Sequence, residues 1–61
     1  MKNDLVDYAY PTMMAERCLK RVHDLCLDKR YGDAQDEAKK AVEWLLEIRA
    51  ALKKMEEDAQ A

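Results

Sequence analysis

The chain has 61 residues, with one Gly, one Pro and no Phe, and it is rich in Ala, Leu, Glu and Lys. This is the composition of helices in one small domain, and such a short chain buries too little surface to be comfortably stable without a partner subunit or another aid. Eleven basic against 13 acidic residues give a formal net charge of −2, too weak a field to predict nucleic-acid binding.

Residues 1–11 are predicted to form an N-terminal arm. Its apolar side chains are those of Leu5, Val6, Tyr8 and Tyr10. We expect them to pack on Leu52 and Met55, with a short helical turn over 3–9 as one option, because four apolar side chains left in water cost roughly 1.5–3 kcal/mol each. The alternative is an exposed peptide that docks on a protein partner through Leu5, Tyr8 and Tyr10.

A first amphipathic helix is predicted over residues 12–30. Thr12 can act as its N-cap, and Pro11 stops the helix from extending backward. Apolar residues then recur at intervals of three and four, which is typical of one buried stripe. They are Met14, Ala15, Cys18, Leu19, Val22, Leu25 and Cys26.

The sequence RYGD, residues 30–33, predicts a chain reversal. Gly32 can adopt the left-handed conformation that ends a helix, and Asp33 can cap the next helix, with Asp36 three residues later. The two helices are therefore expected to run antiparallel, as a hairpin.

A second, longer helix is predicted over residues 33–58, and it carries the clearest pattern in the chain. A 4-3-4-3 apolar alternation predicts a supercoiled seam toward the first helix. The seam residues are Ala34, Ala38, Ala41, Leu45, Ile48, Leu52 and Met55. Small residues beside the turn allow close approach there, and the greater length of this helix predicts an overhang at the far end.

Further apolar residues beside the seam widen the apolar surface beyond what one facing helix can cover. We therefore predict an all-α fold, an antiparallel two-helix hairpin that assembles as a homodimer into a four-helix bundle. A larger ring of hairpins is the alternative assembly. The predicted oligomer interface comprises Val42, Trp44, Leu45, Leu46, Ile48, Ala51, Leu52 and Met55.

The stretch CLKRVHDLC, residues 18–26, is the one segment that resembles a reactive or metal-binding centre. Cys18 and Cys26 lie about 12 Å apart along a helix, beyond the reach of a disulfide, which needs Cα atoms within about 7 Å. His23 can share a metal with Cys26 alone, and two ligands do not make a zinc site unless a dimer doubles them. We expect two small core cysteines, a solvent-facing histidine, and no metal or cofactor.

No catalytic arrangement is recognisable, because the chain has no Ser, no Gly-rich phosphate loop and no Glu-x-x-His pair. No apolar run reaches the roughly 20 residues that cross a bilayer, and no secretory signal precedes the arm, so a cytoplasmic protein without a membrane partner is expected. Its thiols would then be reduced.

Two resemblances add to this interpretation. YGDAQDEAKKAVE, residues 31–43, resembles the second helix of a tetratricopeptide repeat in the spacing of its small residues, without the Trp-Leu-Gly part of that repeat. That resemblance implies stacking on another copy. Residues 11–55, from PTMMAERC to ALKKM, are similar in size and architecture to short helical-hairpin accessory proteins of tailed bacteriophages, which implies a phage-encoded accessory context.

The leading functional hypothesis is a non-enzymatic interaction protein that binds itself and an unidentified protein partner. The alternative is a small regulator or inhibitor of nucleic-acid machinery. A basic ridge of Lys20, Arg21, Lys29 and Arg30 would serve that role, and steep salt dependence of DNA binding would reveal it. A metal- or redox-responsive switch is a third class, distinguished by thiol reactivity in the folded state.

Overall fold

The computed structural model describes residues 7–60, which form two α-helices and no strand. Helix α1 spans Ala9–Leu27 and helix α2 spans Tyr31–Gln60, and they pack against each other along one seam. The principal extents are 49 × 19 × 12 Å, so the hairpin is one layer of helices thick. The predicted all-α helical hairpin is confirmed.

Helix α1 begins three residues before the predicted start. Tyr8 is its N-cap residue and makes no side-chain capping bond, while the Ala9 amide donates to the Asp7 carboxylate at 2.8 Å. Pro11 lies inside the first turn, where its missing amide proton removes no intrahelical bond. The predicted N-cap role of Thr12 is therefore wrong: its hydroxyl donates to the Tyr8 carbonyl at 2.7 Å from within the helix.

Helix α1 ends in a Schellman turn with Lys29 at its left-handed position, where φ is 61°. The Lys29 amide donates to the Cys26 carbonyl at 3.0 Å, and the Arg30 amide donates to the Leu25 carbonyl at 2.8 Å. These two bonds satisfy carbonyls that the end of a helix otherwise leaves unpaired. The chain therefore reverses at Lys29, a position that favours glycine.

Gly32 does not perform the role predicted for it, because its φ is not positive and it lies within the first turn of α2. Helix α2 begins at Tyr31, two residues before the predicted start, and the Ala34 amide donates to the Arg30 carbonyl at 3.0 Å. Asp33 lies in this first turn, where its carboxylate accepts bonds of 2.9 and 2.7 Å from the Arg30 guanidinium.

The seam between the helices differs from the predicted heptad register. On α2 the buried and half-buried positions are Ala34, Glu37, Ala38, Ala41, Trp44, Ile48 and Ala51, and apart from Ala38 they alternate by three and four. The predicted register shares Ala34, Ala38, Ala41 and Ile48 with this seam. It also places Leu45 and Leu52 there, and each of these is 49% exposed. A connection of only three residues, 28–30, fixes the rotation of α2 about its axis, so turn geometry outweighs the greater hydrophobicity of the alternative register.

The core of the hairpin consists of small side chains. In α1 the buried residues are Pro11, Ala15 and Cys18, and they face the alanines of α2. No large side chain within residues 7–60 is fully buried. Small residues allow the two helices to approach closely, but they bury little apolar surface.

The predicted overhang of the second helix is confirmed, since α2 has 30 residues and α1 has 19. At 1.5 Å per residue their lengths are roughly 45 and 28 Å. Leu5 and Val6 lie outside the described residues. Tyr10 packs edge-on against Trp44, with ring centroids 5.7 Å apart at 81°; packing of the arm on Leu52 and Met55 stays a prediction.

Candidate interaction surface

One broad side of the hairpin is lined by apolar side chains from both helices. Residues seven apart return to the same side of a helix, which groups Ala38, Leu45 and Leu52 on α2 and Leu19 and Cys26 on α1. Cys26 and Ala38 line one groove at the turn, so the two groups lie on the same side of the molecule. We call this surface the apolar face: Leu19, Cys26, Ala38, Val42, Leu45 and Leu52.

The large residues of the apolar face are half exposed. Leu19 is 53% exposed and Val42 is 54% exposed, close to the values of Leu45 and Leu52. Single exposed apolar side chains are ordinary on a protein surface, whereas several on one side make that side the candidate surface for an interaction.

The opposite side of the hairpin is charged and centres on Glu37. Its carboxylate is only 7% exposed and lies 3.4 Å from the Arg21 guanidinium and 3.7 Å from the Lys40 ammonium. Both cations are largely exposed. Glu37 is therefore a buried seam residue whose negative charge is balanced by two cations at the surface. Sequence reasoning missed Glu37 because its charge suggested a solvated face; its position three residues after Ala34 and four before Ala41 was the available signal.

Cys18 is buried in the seam, as predicted. Burial, a hydrogen bond to the Glu37 carboxylate and the charge of that carboxylate raise the pKa of the Cys18 thiol above its ordinary value of 9.0, while Lys40 and Arg21 act in the opposite direction. The thiol is therefore protonated at neutral pH, and a thiol is a much poorer nucleophile and metal ligand than a thiolate.

Cys26 is exposed and not a core residue as predicted, because the rotation of α1 that buries Cys18 and half-buries Leu25 turns Cys26 toward the apolar face. His23 is exposed. Over residues 7–60 no group of three or more His, Cys, Asp or Glu side chains is arranged to hold a metal ion.

The predicted interface residues fall into three groups by burial. Those exposed in the hairpin are Val42, Leu45, Leu46, Leu52 and Met55. Trp44 and Ile48 are half-buried, and Ala51 is buried. Trp44 packs against Tyr10 within the hairpin. Only the part of its side chain that is still exposed can therefore contact another molecule.

The residues of the predicted partner-binding arm lie near the open end of the hairpin. Tyr8 is 48% exposed and Tyr10 is 53% exposed, and both belong to the start of α1 and not to an extended peptide. Tyr10 borders an open groove of about 570 Å³ that Trp44 and Ala51 also line, with Glu47 and Lys54 at its rim.

Three of the four cations in the proposed basic ridge have carboxylate partners. Lys20 lies 3.5 Å from Asp24, Arg21 pairs with Glu37, and Arg30 pairs with Asp33 at 2.7 Å. These partners reduce the positive potential that would attract a phosphate backbone.

Comparison of the chain with protein-family models, with curated proteins and with solved structures finds no match. Within the described residues, neither helix combines the length and the apolar character needed to cross a membrane.

Proposed function

We propose that the protein is a non-enzymatic accessory protein that acts as a homodimer, in which two hairpins form a four-helix bundle in the cytoplasm and the charged outer surface binds a protein partner. The observation that carries the proposal is the apolar face on a hairpin only 12 Å thick. A stable domain normally consists of at least two packed layers around one core, and a second hairpin supplies the missing layer.

The small size of the seam residues supports this assembly. The buried apolar residues of the hairpin are four alanines, Pro11 and Cys18, whereas the larger leucines lie outside the seam. Apolar stabilisation grows with the area removed from water, so most of the stabilisation available to this chain requires the apolar face to be covered.

The exposed fractions set the scale of the dimer affinity. Covering the remaining half of Leu19, Val42, Leu45 and Leu52 contributes roughly 1 kcal/mol for each residue, or about 8 kcal/mol for two copies. This sum is comparable with the lower estimates of the entropic cost of association. The net association free energy from these four residues alone is therefore small, so the assembly is to be tested at high concentration, up to several hundred micromolar.

A second copy is the simplest partner for this face because a two-fold axis pairs the face with itself and leaves no surface for open-ended growth. The similarity in size and architecture to phage accessory proteins supports an accessory role without chemistry. Binding of a different protein would then use the opposite, charged side around Arg21, Glu37 and Lys40.

Sedimentation equilibrium with two matched variants tests the dimer. Leu45→Lys places a charge in the middle of the apolar face, and Leu27→Lys places the same charge on a leucine that is 69% exposed at the end of α1. We expect the wild type and Leu27→Lys to sediment as dimers of the 7.1 kDa chain and Leu45→Lys as a monomer. A well-folded wild-type monomer at several hundred micromolar would refute the proposal.

A further inference from the structure

We propose that the two hairpins pack with their turns at opposite ends, with Leu45 on the two-fold axis, so that Leu52 and Met55 of each copy enter the groove beside the turn of the other. This arrangement rests on the proposed homodimer and specifies how the second copy sits on the apolar face.

The receiving site is a shallow groove of about 270 Å³ where the two helices meet near the turn. It is lined by Val22 and Cys26 of α1 and by Tyr31, Ala34, Gln35 and Ala38 of α2. Alanines at its base keep it open, and its lining is almost wholly apolar. Such a groove accepts aliphatic side chains from a facing helix.

The entering side chains come from the overhang of α2. Leu52 is 49% exposed and Met55 is 38% exposed, on the part of α2 that extends past the start of α1 at Ala9. The molecule therefore presents large apolar side chains at one end of its apolar face and a small-residue groove at the other end.

The spacing along α2 makes these two ends self-complementary. Ala38, Leu45 and Leu52 are separated by seven residues each, or about 10.5 Å, and Leu45 is the fifteenth of the 30 residues of α2. A two-fold axis through Leu45, perpendicular to α2, places Ala38 of one copy opposite Leu52 of the other. The small side chain of one copy therefore meets the large side chain of the other at both ends of the contact.

The competing arrangement brings both turns to the same end and lays α1 of one copy on α2 of the other. The grooves beside the two turns would then face each other, while the large side chains at the open ends would meet large ones. Well-packed cores interdigitate large with small residues and leave few voids, so the arrangement with the turns apart fits this face better.

A size-swap cycle tests the contact between positions 38 and 52. Ala38→Leu fills the groove and Leu52→Ala removes the entering side chain, so each single variant is expected to raise the dissociation constant about tenfold or more, and the double variant to return to within about threefold of wild type. Ala50→Leu on the opposite side, combined with Leu52→Ala, is the matched control and should give no rescue. If both single variants lose dimer affinity and the Ala38→Leu, Leu52→Ala double variant does not recover it, the contact between positions 38 and 52 is refuted.

A distance measurement tests the arrangement without altering positions 38, 45 and 52. Lys29→Cys in a Cys18→Ala, Cys26→Ala background carries a spin label at the turn of each copy, and dipolar spectroscopy reports their separation. Turns at opposite ends of a 45 Å helix pair give roughly 40 Å, whereas turns at the same end give less than about 20 Å. A sedimenting dimer with the short distance refutes this arrangement alone, while a wild-type monomer refutes the proposed homodimer.

Discussion

The left-handed conformation of Lys29 in the turn predicts whether substitutions there raise or lower the free energy of unfolding. Lys29 holds a left-handed backbone with φ of 61°, which costs a residue with a side chain roughly 1–2 kcal/mol. Glycine adopts this conformation freely but loses about 0.5–1 kcal/mol more in backbone entropy on folding. Lys29→Gly is therefore expected to raise the free energy of unfolding by about 0.5–1 kcal/mol.

Gly32→Ala in the first turn of α2 is the companion change. No atom outside its immediate surroundings lies within 4 Å of an added Cβ, and alanine is favoured over glycine in a helix by roughly 0.5–1 kcal/mol. The free energy of unfolding should therefore also rise. The double variant should be more stable than either single variant.

Urea denaturation followed by circular dichroism measures both changes, at one fixed protein concentration because dimerisation adds to the apparent stability. If Gly32 were the left-handed residue, Gly32→Ala would destabilise the protein, and Lys29→Gly would lose stability as a glycine inside a helix. Destabilisation by both substitutions would therefore refute the assignment of the left-handed turn to Lys29.

Five further outcomes are expected. Ala41→Leu should lower the free energy of unfolding by about 1–3 kcal/mol by overpacking the seam. Ala38→Leu, at a half-buried position that borders an open groove, should cost a monomeric hairpin less than Ala41→Leu in the same urea titration. Glu37→Leu should be neutral or stabilising by about 1 kcal/mol in the same assay, because an apolar side chain replaces a buried charge of similar size. The pKa of Cys18 is raised in the folded state, so the thiol ionises at a lower pH in the unfolded chain. The free energy of unfolding should therefore fall as the pH rises from about 9, and Cys18→Ala should abolish that fall. Ellman's reagent should react faster with Cys26 than with Cys18.

The sequence by itself determined the fold class, the two helices and the reversal near residue 30. These features follow from local chemistry, because composition and apolar spacing favour helices and two amphipathic helices joined by a short turn pack against each other. The sequence also predicted burial of Cys18 and the overhang of the second helix, since both depend only on position within one helix.

The tertiary structure decided which face of α2 meets α1. Ala38, Leu45 and Leu52 form one apolar column, and Glu37, Trp44 and Ala51 form the neighbouring column about 100° away. Periodicity does not choose between these columns, because Ala34, Ala41 and Ile48 lie between them and belong to either register. The left-handed turn at Lys29 sets the rotation of α2, a geometry that the sequence appeared to assign to Gly32. That rotation buries Glu37 and leaves the leucines outside, because a three-residue connection constrains the approach of the helices more strongly than the hydrophobicity of either column.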